Sequence, residues 1–382
     1  MHISDFVKKT EVALHPGDQS GTKICDVRTV LLSVPLDRPI SDSTHELRCV
    51  QWILVELETE DGRTGHSLML TFDYGPTLLQ RIVDSELKRV VVGRDARDIA
   101  GTWQACYSHC EYIGQSGVAA WGIAAIEIAL WDWVGKALGA PVCQLFGACR
   151  ETIPAYGSGG WLSYSTEQLL TEVSGYLQRG FGAVKIKVGS PDIKRDVQRV
   201  REVRKLIGGE VRLMIDANQA WSPTQAIDFA RKIADQDIFW FEEPVSRADF
   251  DGYCRVASSI DIPIATGERE YAVGAFRDLL VHRGASILQP DVLRIGGLGQ
   301  CLKVAHLADA FERPIAPHFY KEIDIHVLAA VRNGLYLEYF GWLDELLITP
   351  LRVENGVAFV PKEPGLGLEV KPEAVREYQV RG

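Results

Sequence analysis

The sequence predicts an α/β protein in which a (β/α) barrel follows an α+β domain. From about residue 152, apolar segments of strand length alternate strictly with longer segments of helical period. Acidic residues recur just past the predicted strands, and Asp216, Glu242 and Glu268 follow one another at equal intervals. That interval matches one strand–loop–helix–loop unit. Seven or eight units in about 200 residues fit a closed barrel, whose active site lies at the carboxyl ends of its strands.

The first part of the chain has a mixed pattern. Strands are predicted around 27–34 and 50–57, the second followed by a turn at 60–63. Helical stretches follow, and the last of them, 119–138, is stopped by Gly-Ala-Pro at 139–141. These elements do not alternate as they would in a barrel, so they indicate a separate α+β unit.

The later elements can be assigned in chain order. A helix is predicted at 166–179, and another carries apolar residues from Ile193 to Leu206 at helical spacing. The predicted strands are 183–188, 211–215, 238–241, 262–266, 286–289, 314–316 and 335–338.

These patterns divide the chain. We predict a polar N-terminal extension over 1–22, an α+β domain over 23–150 and the barrel over 151–349. The last stretch, 350–382, lacks the barrel pattern and is expected to pack back on the first domain and complete it.

Composition and charge exclude several classes of protein. The net charge of −10 argues against a nucleic-acid-binding protein. The eight cysteines form no CxxC pair, which indicates reduced thiols in the cytoplasm rather than a disulfide framework or a zinc site. The predicted extension over 1–22 lacks the apolar core of a signal peptide. The apolar run 118–134 is interrupted by Glu127 and Asp132, so we interpret it as a buried helix and predict no membrane span.

The three acids predict a metal site. Asp216, Glu242 and Glu268 supply hard oxygen ligands of the kind that Mg²⁺ prefers. A single acid at a strand end would more often cap a helix or pair with an arginine, but three at one period favour a metal. Glu243 points the other way from Glu242 if the strand continues. Asn218 shares a face with Asp216, and a role in binding metal, water or substrate fits it as well as a structural one.

Two lysines predict an acid–base group. Lys185 and Lys187 alternate on the strand at 183–188, so both point to the same side. The intervening Val184 and Ile186 would pack against helices, which leaves the lysines facing the mouth of the barrel. Two neighbouring ammonium groups near a dication disfavour protonation, which would lower a lysine pKa toward that of a useful base.

A histidine and two further acids follow later in the chain. Asp291 and His318 fall on consecutive units of the predicted barrel. A carboxylate that accepts from one imidazole nitrogen orients the ring and raises its basicity. Glu338 ends a later strand, where it would hold a proton or hydrogen bond near a substrate carboxylate, although a salt-bridge role fits it equally.

The order of these motifs resembles the enolase superfamily, and more narrowly its mandelate racemase subgroup. The resemblance extends over about residues 23 to 370. It rests on Lys185-x-Lys187, Asp216-x-Asn218, Glu242-Glu243-Pro244, Gly267-Glu268, Gln289-Pro290-Asp291 with Gly296-Gly297, Pro317-His318 and Leu337-Glu338-Tyr339.

The resemblance implies a fold, a cofactor and a role for each residue. The fold would be a modified TIM-type (β/α)7β barrel with an α+β capping domain. Mg²⁺ would be bound by Asp216, Glu242 and Glu268. Lys187 would be a base with Lys185 as its electrostatic partner, and His318 would be a second base. Members are commonly dimers or octamers, so a homo-oligomer is expected.

These parts imply abstraction of the proton α to the carboxylate of a small substrate, because a divalent metal offsets the charge that develops. Loss of a β-hydroxyl would then make the enzyme an acid-sugar dehydratase that yields a 2-keto-3-deoxy acid. Return of the proton on the other face would make it a racemase or epimerase of a 2-hydroxy acid. A non-catalytic scaffold is a further alternative. A muconate-cycloisomerase-like enzyme is disfavoured, because no lysine lies in 284–302.

The loops favour dehydration of an aldarate or aldonate. Specificity loops are expected around 35–46 and 68–75, where the residues are strongly polar, whereas an aryl substrate would prefer an apolar lid. Galactarate- and talarate-type dehydratases are the nearest resemblance within the subgroup. The candidate substrate-binding residues are Asn218, Arg38, His45, Tyr74 and Trp161.

Overall fold

The computed structural model describes residues 21–380. Almost all of the predicted N-terminal extension, 1–22, therefore lies outside the described residues. Within them, a three-stranded antiparallel sheet is followed by helices and then by a nine-stranded sheet, which consists of barrel strands and a C-terminal hairpin.

The first sheet has the order β1-β2-β3. Its strands are β1 (Ile24–Ser41), β2 (Glu46–Thr59) and β3 (Thr64–Thr71). The predicted strands at 27–34 and 50–57 are the central parts of β1 and β2. Half of the specificity loop expected at 68–75 is strand, because β3 pairs with β2 up to Thr71. The other expected loop, 35–46, is mostly the far end of β1 and a turn at 42–45.

Helices cover this sheet. They are α1 (Pro76–Arg81), which continues through a π-helical turn (Ile82–Leu87) into α2 (Lys88–Val91), then α3 (Ile99–His109), α4 (Val118–Leu138) and α5 (Val142–Leu145). By length and composition alone α4 could cross a membrane, but 78% of its most apolar window is buried inside the protein. Its two acids are also buried and satisfied: Asp132, for example, accepts from the backbone N–H groups of His66 and Leu366. The helix is therefore part of the core, as predicted.

The barrel follows with strands and helices in alternation. Its elements are β4 (Thr152–Gly159), α6 (Thr166–Gln178), β5 (Ala183–Lys187), α7 (Ile193–Ile207), β6 (Arg212–Asp216), α8 (Pro223–Lys232), β7 (Ile238–Glu242), α9 (Phe250–Ala257), β8 (Ile264–Thr266), α10 (Val273–Val281), β9 (Ile287–Leu288), α11 (Leu298–Ala310), α12 (Lys321–Ala330) and β10 (Leu337–Tyr339). Strands β4 to β9 pair in parallel in chain order, and β10 pairs in parallel with β4.

The seventh barrel position is not a continuous strand. It is joined to the segments beside it by isolated parallel bridges: Leu288 to Ile315, Asp291 to His318, and Ile315 to Gly334. Pro314 and Pro317 flank this position and have no N–H to donate, so a regular ladder cannot form. With β10 as the eighth strand the ring closes, which confirms the predicted (β/α)7β barrel and its α+β capping domain.

The C-terminal stretch divides between the two parts of the molecule. A hairpin of β11 (Val353–Glu354) and β12 (Val357–Phe359) pairs antiparallel with barrel strand β4. Only the end of the chain reaches the first sheet, where α13 (Pro372–Tyr378) lies beside β1 and Val380 N–H donates to Leu31 O. The expectation that all of 350–382 completes the capping domain is therefore wrong for the hairpin.

The capping sheet reaches over the mouth of the barrel. The turn at 42–45 is fixed there because Ser43 Oγ donates to Ala217 O and Asn218 O, at 2.8 and 3.1 Å. Leu162, just past β4, donates its N–H to Ser41 O at 2.7 Å. Residues of the cap are thereby placed directly above the strand ends that carry the predicted acids.

Candidate active site

Three carboxylates meet at the ends of neighbouring strands. Asp216 and Glu242 are the last residues of β6 and β7 and pair in register, and Glu268 lies just past the end of β8. One oxygen from each lies within 4.8 Å of the others, and all three residues are buried. Glu268 Oε2 is buried and accepts no hydrogen bond within the described residues. Burial and the neighbouring acids raise the pKa of Glu242 to about 7 against the effect of Lys185. Such a crowded set of hard oxygens suits a divalent cation such as Mg²⁺.

Both lysines of β5 point into this site. Lys185 Nζ lies 2.8 Å from Glu242 Oε1 and 2.7 Å from Glu338 Oε1, and Lys187 Nζ lies 2.5 Å from Asp216 Oδ2. The expected depression of the lysine pKa is not seen. Burial lowers the pKa of Lys187, but contact with Asp216 outweighs it and the net pKa is raised. The strand pattern predicts the direction of the lysines but not that each one meets a carboxylate.

The histidine is held by its predicted partner. His318 Nδ1 lies 2.9 Å from Asp291 Oδ2, and the other oxygen of Asp291 accepts from the N–H groups of Leu293 and Arg294. His318 Nε2 points to the acids and lies 3.4 Å from Glu268 Oε2. Burial lowers the pKa of His318, but Glu268 and Asp291 together raise it. The ring is thus oriented with one nitrogen facing the site.

Glu338 is fully engaged from three sides. Ser158 Oγ donates to Oε1 at 2.7 Å, Phe319 N–H donates to Oε2 at 2.9 Å, and Lys185 forms the ion pair described above. Burial alone would raise the pKa of Glu338, but Lys185 and His318 lower it to about 2. The group is therefore an ionised acceptor here, in line with the hydrogen-bond and salt-bridge roles expected for it rather than with that of a proton carrier.

Glu243 faces away from the three acids. Its backbone has a positive φ of 39°, and its side chain pairs with Arg269, whose Nε lies 3.0 Å from Glu243 Oε2. Arg269 Nε is also 3.2 Å from Glu268 Oε1, so one guanidinium links the two glutamates. Sequence reasoning did not place Arg269 or Ser158 beside the acids. Their signals were present: Arg269 directly follows a predicted ligand, and Ser158 shares its strand face with a buried neighbour, Tyr156.

A cavity of about 190 Å³ opens on these groups between cap and barrel. Of the predicted substrate-binding residues, His45, Tyr74, Trp161 and Asn218 line it. Asn218 Oδ1 is buried there without a hydrogen-bond partner among the described residues. Arg38 does not line the cavity. It lies in a separate groove, because the far end of β1 extends past the barrel mouth.

The lining is less polar than the loop sequences suggested. Besides the polar turn at 42–45, the wall contains Phe72, Trp161, Phe340 and Trp342. Phe340 and Trp342 follow the last barrel strand, outside the two loops in which specificity was expected. They are recognisable in the sequence only as an aromatic pair past a strand end.

Two family descriptions match the chain. "Mandelate racemase / muconate lactonizing enzyme, N-terminal domain" matches residues 24–147, and "Enolase C-terminal domain-like" matches residues 168–374. Among characterised proteins, the chain is 35% identical to 3,6-anhydro-alpha-L-galactonate cycloisomerase of Streptomyces coelicolor, covering 90% of this chain and 95% of that one. It is 32% identical to L-talarate/galactarate dehydratase of Salmonella typhimurium, covering 95% and 92%.

Solved structures agree with these similarities. A racemase from Streptomyces coelicolor with bound magnesium superposes with a TM-score of 0.91 at 34% identity, covering 94% of this chain and 100% of that one. L-Talarate dehydratase from Polaromonas, complexed with Mg and L-glucarate, has a TM-score of 0.84 at 33% identity, covering 94% and 98%.

Proposed function

Because this chain belongs to the mandelate racemase and muconate lactonizing enzyme family of the enolase superfamily, we propose that it dehydrates an acid sugar to a 2-keto-3-deoxy acid. The protein is an enzyme, and its cofactor is Mg²⁺. The observation that carries the proposal is the pair of proton-transfer groups on different strands: Lys187 on β5 and the Asp291-oriented His318 both line one cavity beside the three acids.

The acids Asp216, Glu242 and Glu268 would hold the metal ion, which supplies positive charge to the substrate carboxylate and so acidifies the α-proton. With Asp216 engaged as a metal ligand, Lys187 would lose the partner that raises its pKa, and the neutral Nζ would take that proton. Lys185 has its charge fixed between Glu242 and Glu338, so it would stay protonated and stabilise negative charge near the substrate.

His318 would complete the elimination as the general acid. Asp291 stabilises the imidazolium, and Nε2 would donate a proton to the β-hydroxyl as its C–O bond breaks. Water leaves with that proton, and the electrons of the broken α-C–H bond form the C=C of an enol. The enol then gains a proton at the β-carbon and loses the proton of its hydroxyl to yield the 2-keto acid. These reaction steps need no oxidant.

A second candidate is racemisation or epimerisation. It is favoured by the same two groups, because a base on each of two strands can address two faces of one α-carbon. In that reaction His318 would return a proton to carbon instead of oxygen. The substrate decides between the two outcomes, since only an acid with a β-hydroxyl can lose water.

Proton NMR in D₂O with Mg²⁺ tests both candidates against a library of acid sugars and 2-hydroxy acids. A 2-keto product from an acid sugar, abolished in Lys187→Ala, is the result expected. Deuterium at the α-position with inversion and no keto product would instead establish racemisation or epimerisation. If Lys187→Ala kept either activity at the wild-type level, the assignment of Lys187 as the base would be contradicted.

We also propose a cytoplasmic homo-oligomer, a dimer or an octamer. All eight cysteines are free, which suits a reducing compartment. Tyr112 and Ile113 are 96% and 62% exposed between α3 and α4, a place where a second copy could bury apolar surface. Light scattering measures the mass in solution, and a monomer at micromolar concentration would contradict the assembly.

A further inference from the structure

One wall of the cavity is a stack of aromatic rings. Phe340 and Trp342 are stacked with ring centroids 4.7 Å apart, and Trp161 lies against Trp342 at 5.7 Å. Phe72 of the cap meets Trp342 edge-on at 5.7 Å. Ring faces carry partial negative charge and cannot replace the hydration of a carboxylate. They offer contact area to the C–H groups of a sugar, but no site for a second anion.

The turn at 42–45 adds a fixed negative charge to the lining of the cavity. Asp42 accepts from the N–H groups of Thr44 and His45, at 2.6 and 2.7 Å, and its Oδ2 lies 3.3 Å from His45 Nδ1. Burial raises the pKa of Asp42, but the bond from His45 and the nearby Lys187 hold it well below its usual range. Any positive charge on His45 is therefore matched by Asp42.

The cations of the cavity are all committed at the metal end. Within the described residues its lysine and arginine side chains are Lys187, Arg269 and Arg294. Lys187 is paired with Asp216, and Arg269 with Glu243 and Glu268. Arg294 donates to the backbone carbonyl of Glu268 at 2.9 Å and lies 3.6 Å from its carboxylate. Each of these three cations therefore already has a carboxylate partner in the acid cluster.

We propose that this enzyme selects acid sugars with one carboxylate and rejects diacids, with Asp42 and the aromatic wall as the determinants. The proposal rests on the function proposed above. The carboxylate of the substrate takes the metal end, and its far end is a neutral polyol or ring. Asp42 and Tyr74 line the cavity and offer hydrogen-bond partners to the hydroxyl groups of the substrate. A diacid would place its second carboxylate, stripped of water, beside Asp42 and ring faces, where like charge is costly.

Matched sugar acids test the proposal. Galactonate and galactarate form one pair, and gluconate and glucarate another; each pair differs only in the oxidation state of the terminal carbon. Calorimetry on Mg²⁺-loaded Lys187→Ala measures binding without turnover, and proton NMR on the wild type measures dehydration. For the pair that binds, we expect the monoacid to bind about tenfold or more tightly than its diacid.

Three variants assign the effect to its residues, each made in the Lys187→Ala protein for the binding measurement. Asp42→Asn keeps the turn but removes the charge. It is expected to lower the ratio of monoacid affinity to diacid affinity. Asp37→Asn makes the same change on an exposed part of β1 outside the cavity and is expected to leave it unchanged. Tyr74→Arg adds a cation at a position that is 57% exposed and is expected to strengthen diacid binding about tenfold. If Asp42→Asn does not fold, Tyr74→Arg still tests the proposal.

The outcomes separate this inference from the proposed function. Diacids that bind as tightly as monoacids, or a ratio unmoved by both Asp42→Asn and Tyr74→Arg, would overturn the inference. Selective binding of the monoacids without a keto product would overturn dehydration and leave the selectivity standing. Binding of neither member of any pair would overturn both.

Discussion

At the scale of single residues, the site is a set of opposite charges placed in contact. Lys187 pairs with Asp216, and Lys185 with Glu242 and Glu338, in buried contacts. His318 pairs with Asp291 in a part-buried one. Each burial would be costly alone, and each pair offsets the cost for both members. The catalytic groups are therefore held in one geometry before the substrate binds, so fewer side chains must move during the reaction.

Asp291→Asn tests the most local of these pairings. The amide keeps the size of the side chain but cannot stabilise an imidazolium, so the pKa of His318 falls and less of the protein carries the proton that His318 must donate. We expect kcat to fall roughly a hundredfold or more while KM for the substrate changes little. Steady-state kinetics at saturating Mg²⁺ measure both constants. Asp309→Asn, which removes a surface partner of Arg332, is the matched control, and an equal loss there would contradict the assignment.

At the scale of elements, the sequence predicted the parts whose pattern is strong. The alternation of apolar and charged residues on β5 gave the direction of both lysines, and the spacing of the acids gave their common edge. The sequence predicts the seventh strand at 314–316, where the structure has isolated bridges instead of a ladder. Two flanking prolines limit the pairing, but the segments with which this position pairs are known only from the fold. The aromatic wall could not be predicted, because Phe340 and Trp342 lie near the end of the barrel and meet Phe72 of the cap, from the opposite end of the chain.

The packing of the cap on its long helix gives a prediction at this scale. Gly65 of β3 lies so close to α4 that a Cβ would be 2.1 Å from Ala129 O. Gly65→Ala should therefore lower the free energy of unfolding by about 1–3 kcal/mol, because backbone must move to admit a methyl group. Urea denaturation measures the change.

Gly175→Ala in α6 is the matched control for that substitution. A Cβ at Gly175 meets nothing within 4 Å, and alanine is the better helix former. This variant should be more stable than wild type by up to about 1 kcal/mol. If both substitutions destabilised the protein equally, the close contact between β3 and α4 would not be the cause.

At the scale of the whole molecule, one site draws on both parts of the chain. The cap supplies the turn at 42–45 and Phe72, and the barrel supplies the acids, the lysines and His318. Neither part encloses the cavity alone, so substrate selection and chemistry are divided between them. The chemistry was predictable because its residues recur at the barrel period. The proposed selectivity for monoacids could not be predicted from the sequence, because its determinants come together only when the cap packs on the barrel.

The metal site ties three strands of the barrel together, so its occupation should be visible in global stability. A ligand that binds only the folded state stabilises it by RT ln(1 + [L]/Kd), or about 2.7 kcal/mol at a hundred times Kd. Thermal unfolding followed against Mg²⁺ concentration should show a Tm that rises steadily with the logarithm of concentration above Kd. Glu268→Gln removes the charge of one of the three acids and should abolish the rise in Tm. Glu268 Oε2 accepts no hydrogen bond among the described residues, so a metal ion would be its partner. Glu210→Gln, an exposed acid just before β6, should leave it intact. A Tm that responds to Mg²⁺ equally in all three proteins would place the ion elsewhere and remove the basis for assigning the metal to these acids.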